Sequence, residues 1–190
     1  MSSFDIVFDK SSVDYALKCG TKILKIASPE INDIDLLEYI SKKKIPYVMI
    51  STGLANEKEI NEAVKILKKK HSQLILMKCN SAYPTSLKEM NLVMIKKFQE
   101  KFKLTVGLSD HSMDTVAPVV AVSLGAKVVE KHFSLSKKSI DGFFSLNFKE
   151  FKKMVNQIRD VENSLGEESF KISKTSFLHE SRWPPGARIS

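Results

Sequence analysis

Gly107-Leu-Ser-Asp-His-Ser112 and Gly125-Ala-Lys-Val-Val-Glu-Lys-His-Phe133 are the stretches that decide the fold of this chain. Short apolar runs with β-branched residues span Thr105 to Leu108 and Lys127 to Val129, and each leads into a histidine among polar neighbours, His111 and His132. Between them, Ala117 to Ala126 is rich in Ala and Val and reads as a helix. The unit is strand, polar tip, helix, strand, polar tip. In a parallel α/β sheet both tips fall on the carboxyl edge, where ligands bind. His111 and His132 are therefore candidates to meet over one ion or one substrate atom. A strand-end histidine is more often a hydrogen-bonded structural residue, so the pair alone does not establish a metal site.

The same rhythm extends in both directions. Strands are expected at residues 4–8, 23–27, 46–50 and 74–77, and helices at 10–18, 34–43, 57–70, 92–102 and 148–165. The clearest helix is 57–70, with Ile60, Ala63, Val64 and Leu67 at i, i+3, i+4 and i+7. Asp33 is placed to cap the helix that follows it, and Gly166 to end the last one. Strand tips finish polar at Ser28, Ser51-Thr-Gly53, Cys79-Asn-Ser81, Ser109-Asp-His111 and Glu130-Lys-His132. A row of hydroxyls, amides, acids and imidazoles at successive tips is the pattern of a barrel active-site face. A dinucleotide-binding sheet would carry G-x-G-x-x-G after its first strand, and none is present. The expected fold is α/β: an incomplete TIM (β/α) barrel of about six of eight βα units. It spans 1–168, and the polar, aperiodic segment 169–190 reads as a tail or linker remnant.

Bulk properties narrow the function classes. The 190 residues, 43% hydrophobic and 27% charged, fit one globular domain. No apolar run approaches the roughly 20 residues that span a bilayer, so no membrane association is expected. Met1-Ser-Ser-Phe-Asp5 lacks signal-peptide features, and Cys19 and Cys79 are too few for a disulfide framework. A cytoplasmic location is the simplest expectation. The net charge of +8 comes from lysines spread over helix faces, without an Arg cluster or aromatic platform. It suits an anionic small molecule as well as nucleic acid, and no nucleic-acid partner is expected.

Individual residues carry more than one reading. Lys25 shares the inner face of its strand with Ala27, where it can act as a point charge for phosphate or carboxylate, as a Schiff-base amine or as a structural ion-pair partner. Ser51-Thr-Gly53 offers hydroxyls and a backbone that an oxyanion can approach, or simply a helix-entry turn. Tyr83 lies above the barrel or packs with its hydroxyl in water. Asp141-Gly142 sits in a loop where a plain turn is the simpler account.

Taken together these motifs are specific. Lys25-Ile-Ala-Ser-x-Glu30, Ser51-Thr-Gly53, Lys78-Cys-x-Ser-x-Tyr-Pro-Thr85, Met90-Asn-Leu92, Gly107-Leu-Ser-Asp-His-Ser112 and Gly125-Ala-Lys-Val-Val-Glu-Lys-His-Phe133 follow the order and spacing of the sialic acid synthase family. The chain resembles these enzymes from about Phe4 to Gly166, and within them it is most similar to the pseudaminic acid synthases. The resemblance implies condensation of phosphoenolpyruvate with an N-acetylated amino sugar, giving a nine-carbon 2-keto sugar acid and phosphate. It implies a divalent metal of the manganese or magnesium class on His111 and His132. Lys25, Ser28, Ser51, Gly53, Ser81, Tyr83 and Ser109 match its substrate-binding positions, and Glu30, Tyr83 and Asp141 its catalytic ones. A homodimer is implied for full-length members.

The departures are equally specific. The family's first two strands carry a catalytic glutamate, a second phosphate-binding lysine and sugar-binding amides, and these have no counterpart here. Ile6 stands where a phosphate-binding hydroxyl is usual, and nothing matches the family's small antifreeze-like domain. The expectation is a partial barrel, truncated at both ends. The alternative to a working synthase is a catalytically inactive fragment that binds only metal or a partner.

Overall fold

The computed structural model describes residues 4–70 and 73–167. Six strands pair side by side in sequence order, all parallel: β1 Asp5–Val7, β2 Ile23–Ile26, β3 Tyr47–Ser51, β4 Leu74–Cys79, β5 Thr105–Asp110 and β6 Val128–Lys131. Register divides their side chains between two faces, because neighbours in a ladder project to the same side. Leu24, Val48 and Leu74 form one row, and Val7, Ile26, Ile50, Leu76 and Val106 another. All are buried in one core beneath the helices. At about 1.5–3 kcal/mol per buried aliphatic side chain, these rows are the main force holding helices to sheet.

The opposite face is built differently. Its rows are Lys25 with Met49, then Ser51 with Met77 and Gly107, then Cys79 with Ser109 and Glu130. The sheet curls toward this side to give six strands of an incomplete TIM barrel. A Cβ on Gly107 would lie 2.5 Å from Met77 Sδ and 2.7 Å from the Val128 carbonyl oxygen, so only glycine permits that packing. β1 and β6 are the outer strands, and Phe4, Ile6 and Phe8 are exposed along the β1 edge.

Four of the six described α-helices start at a side-chain cap. α1 (Lys10–Lys18) is capped by Asp9 and Ser12, α3 (Glu57–Lys68) by Asn56 and Glu59, and α6 (Phe148–Leu165) by Asn147 and Glu150, each pair closing a capping box. Asp33 accepts the Leu36 N–H at 2.9 Å to start α2 (Ile34–Ser41), as its position predicts. α4 (Met94–Phe102) buries Ile95, Phe98 and Phe102, and α5 (Val116–Ser123) buries Ala117 and Ala121. Gly166 closes α6 at φ +57°.

The structure differs from expectation in three respects. β4, β5 and β6 run two residues further than their apolar runs, because the polar tips remain in the ladder. The segment after β2 winds into a 3-10 turn, Ser28–Asn32. Of Phe151, Met154, Val155, Ile158, Val161 and Leu165, whose helical spacing predicts one apolar side of α6, only Met154 is buried, and Leu165 is 57% exposed. The expected tail at 169–190 lies outside the described residues, as does position 168, where the barrel segment was expected to end.

Candidate active site

The polar tips of β2 to β6 meet at the carboxyl edge of the curled face. His111 follows directly on β5 and His132 on β6, and their ring centres are 5.4 Å apart. Two imidazoles bound to one ion at about 2.1 Å per nitrogen hold their centres roughly 5 Å apart, so this spacing suits a shared ion. His111 Nδ1 lies 2.7 Å from the Asn80 carbonyl oxygen, which fixes the ring and leaves Nε2 available. His132 Nδ1 lies 3.6 Å from Asp141 Oδ2, an ion-pair rather than a hydrogen-bond distance. Tyr83 covers both rings, at 4.1 Å from His111 and 6.0 Å from His132, with Phe144 beside it. Among the described residues no group of three or more His, Cys, Asp or Glu side chains forms a metal cluster. The pair therefore fits an ion that keeps several positions for water or substrate.

The titration of this group follows from its surroundings. Burial pulls His111 toward neutrality, but the Cys79 sulfur, the Asn80 carbonyl and the Glu130 carboxylate outweigh it and hold its pKa above the ordinary histidine value. Burial, then the charge of His111, pushes His132 below that value against the pull of Asp141 and Glu130. Burial and nearby negative groups push the Tyr83 phenol up.

A second cluster adjoins the first. Ser28 Oγ accepts the Gly53 N–H at 3.0 Å. A Cβ on Gly53 would lie 2.4 Å from Ser81 Oγ, 2.9 Å from Ser28 Oγ and 3.0 Å from Cys79 Sγ, so side chains from the tips of β2 and β4 close on this one glycine after β3. Cys79 Sγ lies 3.9 Å from His111 Nδ1 and links the two clusters. Ser51 Oγ and Ser109 Oγ are buried without a hydrogen-bond partner among the described residues. An unpaired buried hydroxyl costs about 1–3 kcal/mol, and a bound ligand is one way to recover it.

Lys25 is buried on this face, but its ammonium is engaged: Glu130 chelates it with both carboxylate oxygens, at 2.7 and 2.5 Å. Glu30 sits in the 3-10 turn, where burial raises its pKa and leaves Oε2 without a partner among the described residues. Thus His111, His132, Tyr83 and Asp141 come together, as do Ser28, Gly53 and Ser81. Ser51, Ser109 and Lys25 share their face, and Glu30 shows no contact with the histidines.

Sequence reasoning assigns no role to Glu130, Asn80 or Cys79. Glu130 stands two residues before His132, and strand alternation alone places both on one side. The anchoring of His111 by a backbone oxygen of Asn80 has no sequence signal.

Comparison with known proteins accords with this geometry. The chain is 46% identical over 167 residues to a pseudaminic acid synthase of Campylobacter jejuni, covering 86% of this chain and 48% of that protein. It is 37% identical over 166 residues to an N,N'-diacetyllegionaminic acid synthase of Legionella pneumophila, covering 84% and 46%. The crystal structure of an N-acetylneuraminic acid synthetase from Leptospira borgpetersenii superposes with a TM-score of 0.85 at 33% identity, over 93% of this chain and 62% of that one. The chain thus spans about half the length of the curated relatives it matches. Residues 1–170 match the NeuB family, and with this fold and these strand tips the chain belongs to it.

Proposed function

We propose that this chain carries much of a sugar-acid synthase site that condenses phosphoenolpyruvate with an N-acetylated amino sugar. The product is a nine-carbon 2-keto sugar acid of the N-acetylneuraminate or pseudaminate type, with release of phosphate. The observation that carries the reading is a pair of buried hydroxyls, Ser51 and Ser109, unpartnered among the described residues. They lie on the face that also holds Lys25, Glu130 and the strands leading to both histidines.

In this reading Lys25, Ser28, Ser51, Gly53, Ser81, Tyr83 and Ser109 receive the anionic substrate. Lys25 serves as a point charge, and the hydroxyls and backbone as directional donors. Glu30, Tyr83 and Asp141 hold sugar hydroxyls and water. His111 and His132 would hold a divalent cation of the manganese or magnesium class, which when bound supplies Lewis-acid polarisation of the aldehyde oxygen. The enol carbon forms the new C–C bond at the aldehyde carbon. Water adds to the phosphate-bearing carbon, whose C–O bond to phosphate then breaks to leave the ketone. The elements from β1 to α6 make up six βα units, and in a barrel of eight the remaining substrate groups would come from the other two.

A second reading, a catalytically inactive fragment that binds only metal or a partner, is favoured by the engagement of Lys25 with Glu130 and by the outer strands β1 and β6. Phosphate release from phosphoenolpyruvate with a panel of N-acetylated amino sugars, with and without Mn2+, separates the two. Metal-dependent turnover supports the synthase. Metal binding without turnover favours the second reading.

A further inference from the structure

The ladder between β5 and β6 ends at Asp110 and Lys131. His111 and His132 are the next residues on their strands, so the ladder does not fix one relative to the other. Lys131 points to the opposite side of the sheet from the histidines, and its ammonium is almost wholly buried. It lies 2.6 Å from Asp110 Oδ2 and 3.2 Å from Ser112 Oγ, and it donates to the Ser112 carbonyl oxygen as well. Asp110 Oδ1 in turn accepts the Ser112 N–H at 2.8 Å. The residue before His132 thus grips both neighbours of His111 in sequence.

Resting on the site reading above, we propose that Lys131 is a positioning residue, and that its contacts with Asp110 and Ser112 set the separation of the two imidazoles for a shared ion. Solvent does not reach this cluster, so it does not touch substrate. A buried ion pair is also a weak source of stability, because desolvation offsets most of its attraction and an apolar pair of similar volume does as well. Geometry is what the charges supply: three directional bonds converge on one nitrogen, which an apolar contact cannot reproduce. Groups that orient metal-binding histidines typically change metal affinity by about 10- to 100-fold when removed.

The test is titration of the 190-residue chain with Co2+, followed by d–d absorption, and with Mn2+, followed by electron paramagnetic resonance. The double variant Lys131→Met with Asp110→Leu removes both charges together and leaves neither uncompensated. It is expected to keep its circular dichroism spectrum and cooperative unfolding, bind both ions at least about tenfold more weakly, and shift the Co2+ bands. A folded double variant with unchanged affinity and bands overturns the proposal. Asp110→Asn, nearly isosteric, covers the case in which the double variant does not fold; it is expected to weaken binding several-fold, and unchanged binding there also overturns the proposal. Binding by the wild-type chain that survives His111→Ala and His132→Ala, or no binding at all, overturns the site reading itself. Loss in those two variants with no change at Lys131 overturns only the positioning role.

Discussion

Lys25 and Glu130, 105 residues apart in sequence, meet across the curled face with the ammonium 2.7 Å from one carboxylate oxygen and 2.5 Å from the other. In the proposed synthase site Lys25 would be the cation that receives an anionic substrate, and Glu130 already occupies it. On that proposal, phosphate or carboxylate would have to exchange with Glu130. Glu130→Gln is expected to strengthen binding of inorganic phosphate by about tenfold, one step of about 1.4 kcal/mol, measured by isothermal titration calorimetry. Lys25→Met should abolish it. Glu130→Ala leaves the buried ammonium uncompensated and should destabilise the fold by about 3 kcal/mol in urea unfolding. Equal phosphate affinity in wild type and Glu130→Gln would show that the pair does not compete.

Gly53 is the point on which Ser28, Ser81 and Cys79 converge. Gly53→Ala puts a methyl group among the three and displaces the Ser28 hydroxyl from the Gly53 N–H. Overpacking of this kind costs about 1–3 kcal/mol. Phosphate affinity should fall at least about tenfold, well beyond what the stability loss alone explains, and thermal unfolding beside calorimetry distinguishes the two effects.

Metal affinity should depend steeply on pH, through His111. An imidazolium has no lone pair for an ion, so the ion competes with a proton. Because His111 titrates above the ordinary histidine value, this competition begins at higher pH than usual. His132 titrates below that value and stays neutral further into the acid range. Below the His111 pKa, Mn2+ affinity should fall by about tenfold per pH unit, one proton being displaced per ion bound. An affinity independent of pH between about 8 and 6, roughly the histidine range, would place the ion elsewhere.

Gly107→Ala tests the other close approach. The added methyl meets Met77, which can move, and the Val128 carbonyl oxygen, which belongs to the β6 backbone and cannot do so without loosening the β5–β6 ladder. A destabilisation of about 2 kcal/mol is expected, with weakened Mn2+ binding because His132 follows on the same strand. Unchanged chemical denaturation would show that the sheet absorbs the methyl group.

Local pattern was enough for the elements. Ile60, Ala63, Val64 and Leu67 are buried as their spacing predicts, and so are Ile95, Phe98 and Phe102. The order of β1 to β6 follows from the βα rhythm, since each crossover places the next strand beside the last. Even the carboxyl-edge gathering of Ser28, Gly53, Ser81, His111 and His132 was legible, because polarity changes abruptly at each strand tip. The ends of β4, β5 and β6 were less so, because backbone pairing continues through polar residues and is blind to the polarity that marked the tips.

The chain by itself determined which side chains reach the carboxyl edge, because strand alternation and helix capping are short-range. Only the tertiary structure decided how they pair there: Glu130 with Lys25, Lys131 with Asp110, the Asn80 carbonyl with His111. Those choices depend on the curl of six strands and on which charges lose water together, and neither quantity exists until distant strands have come into register.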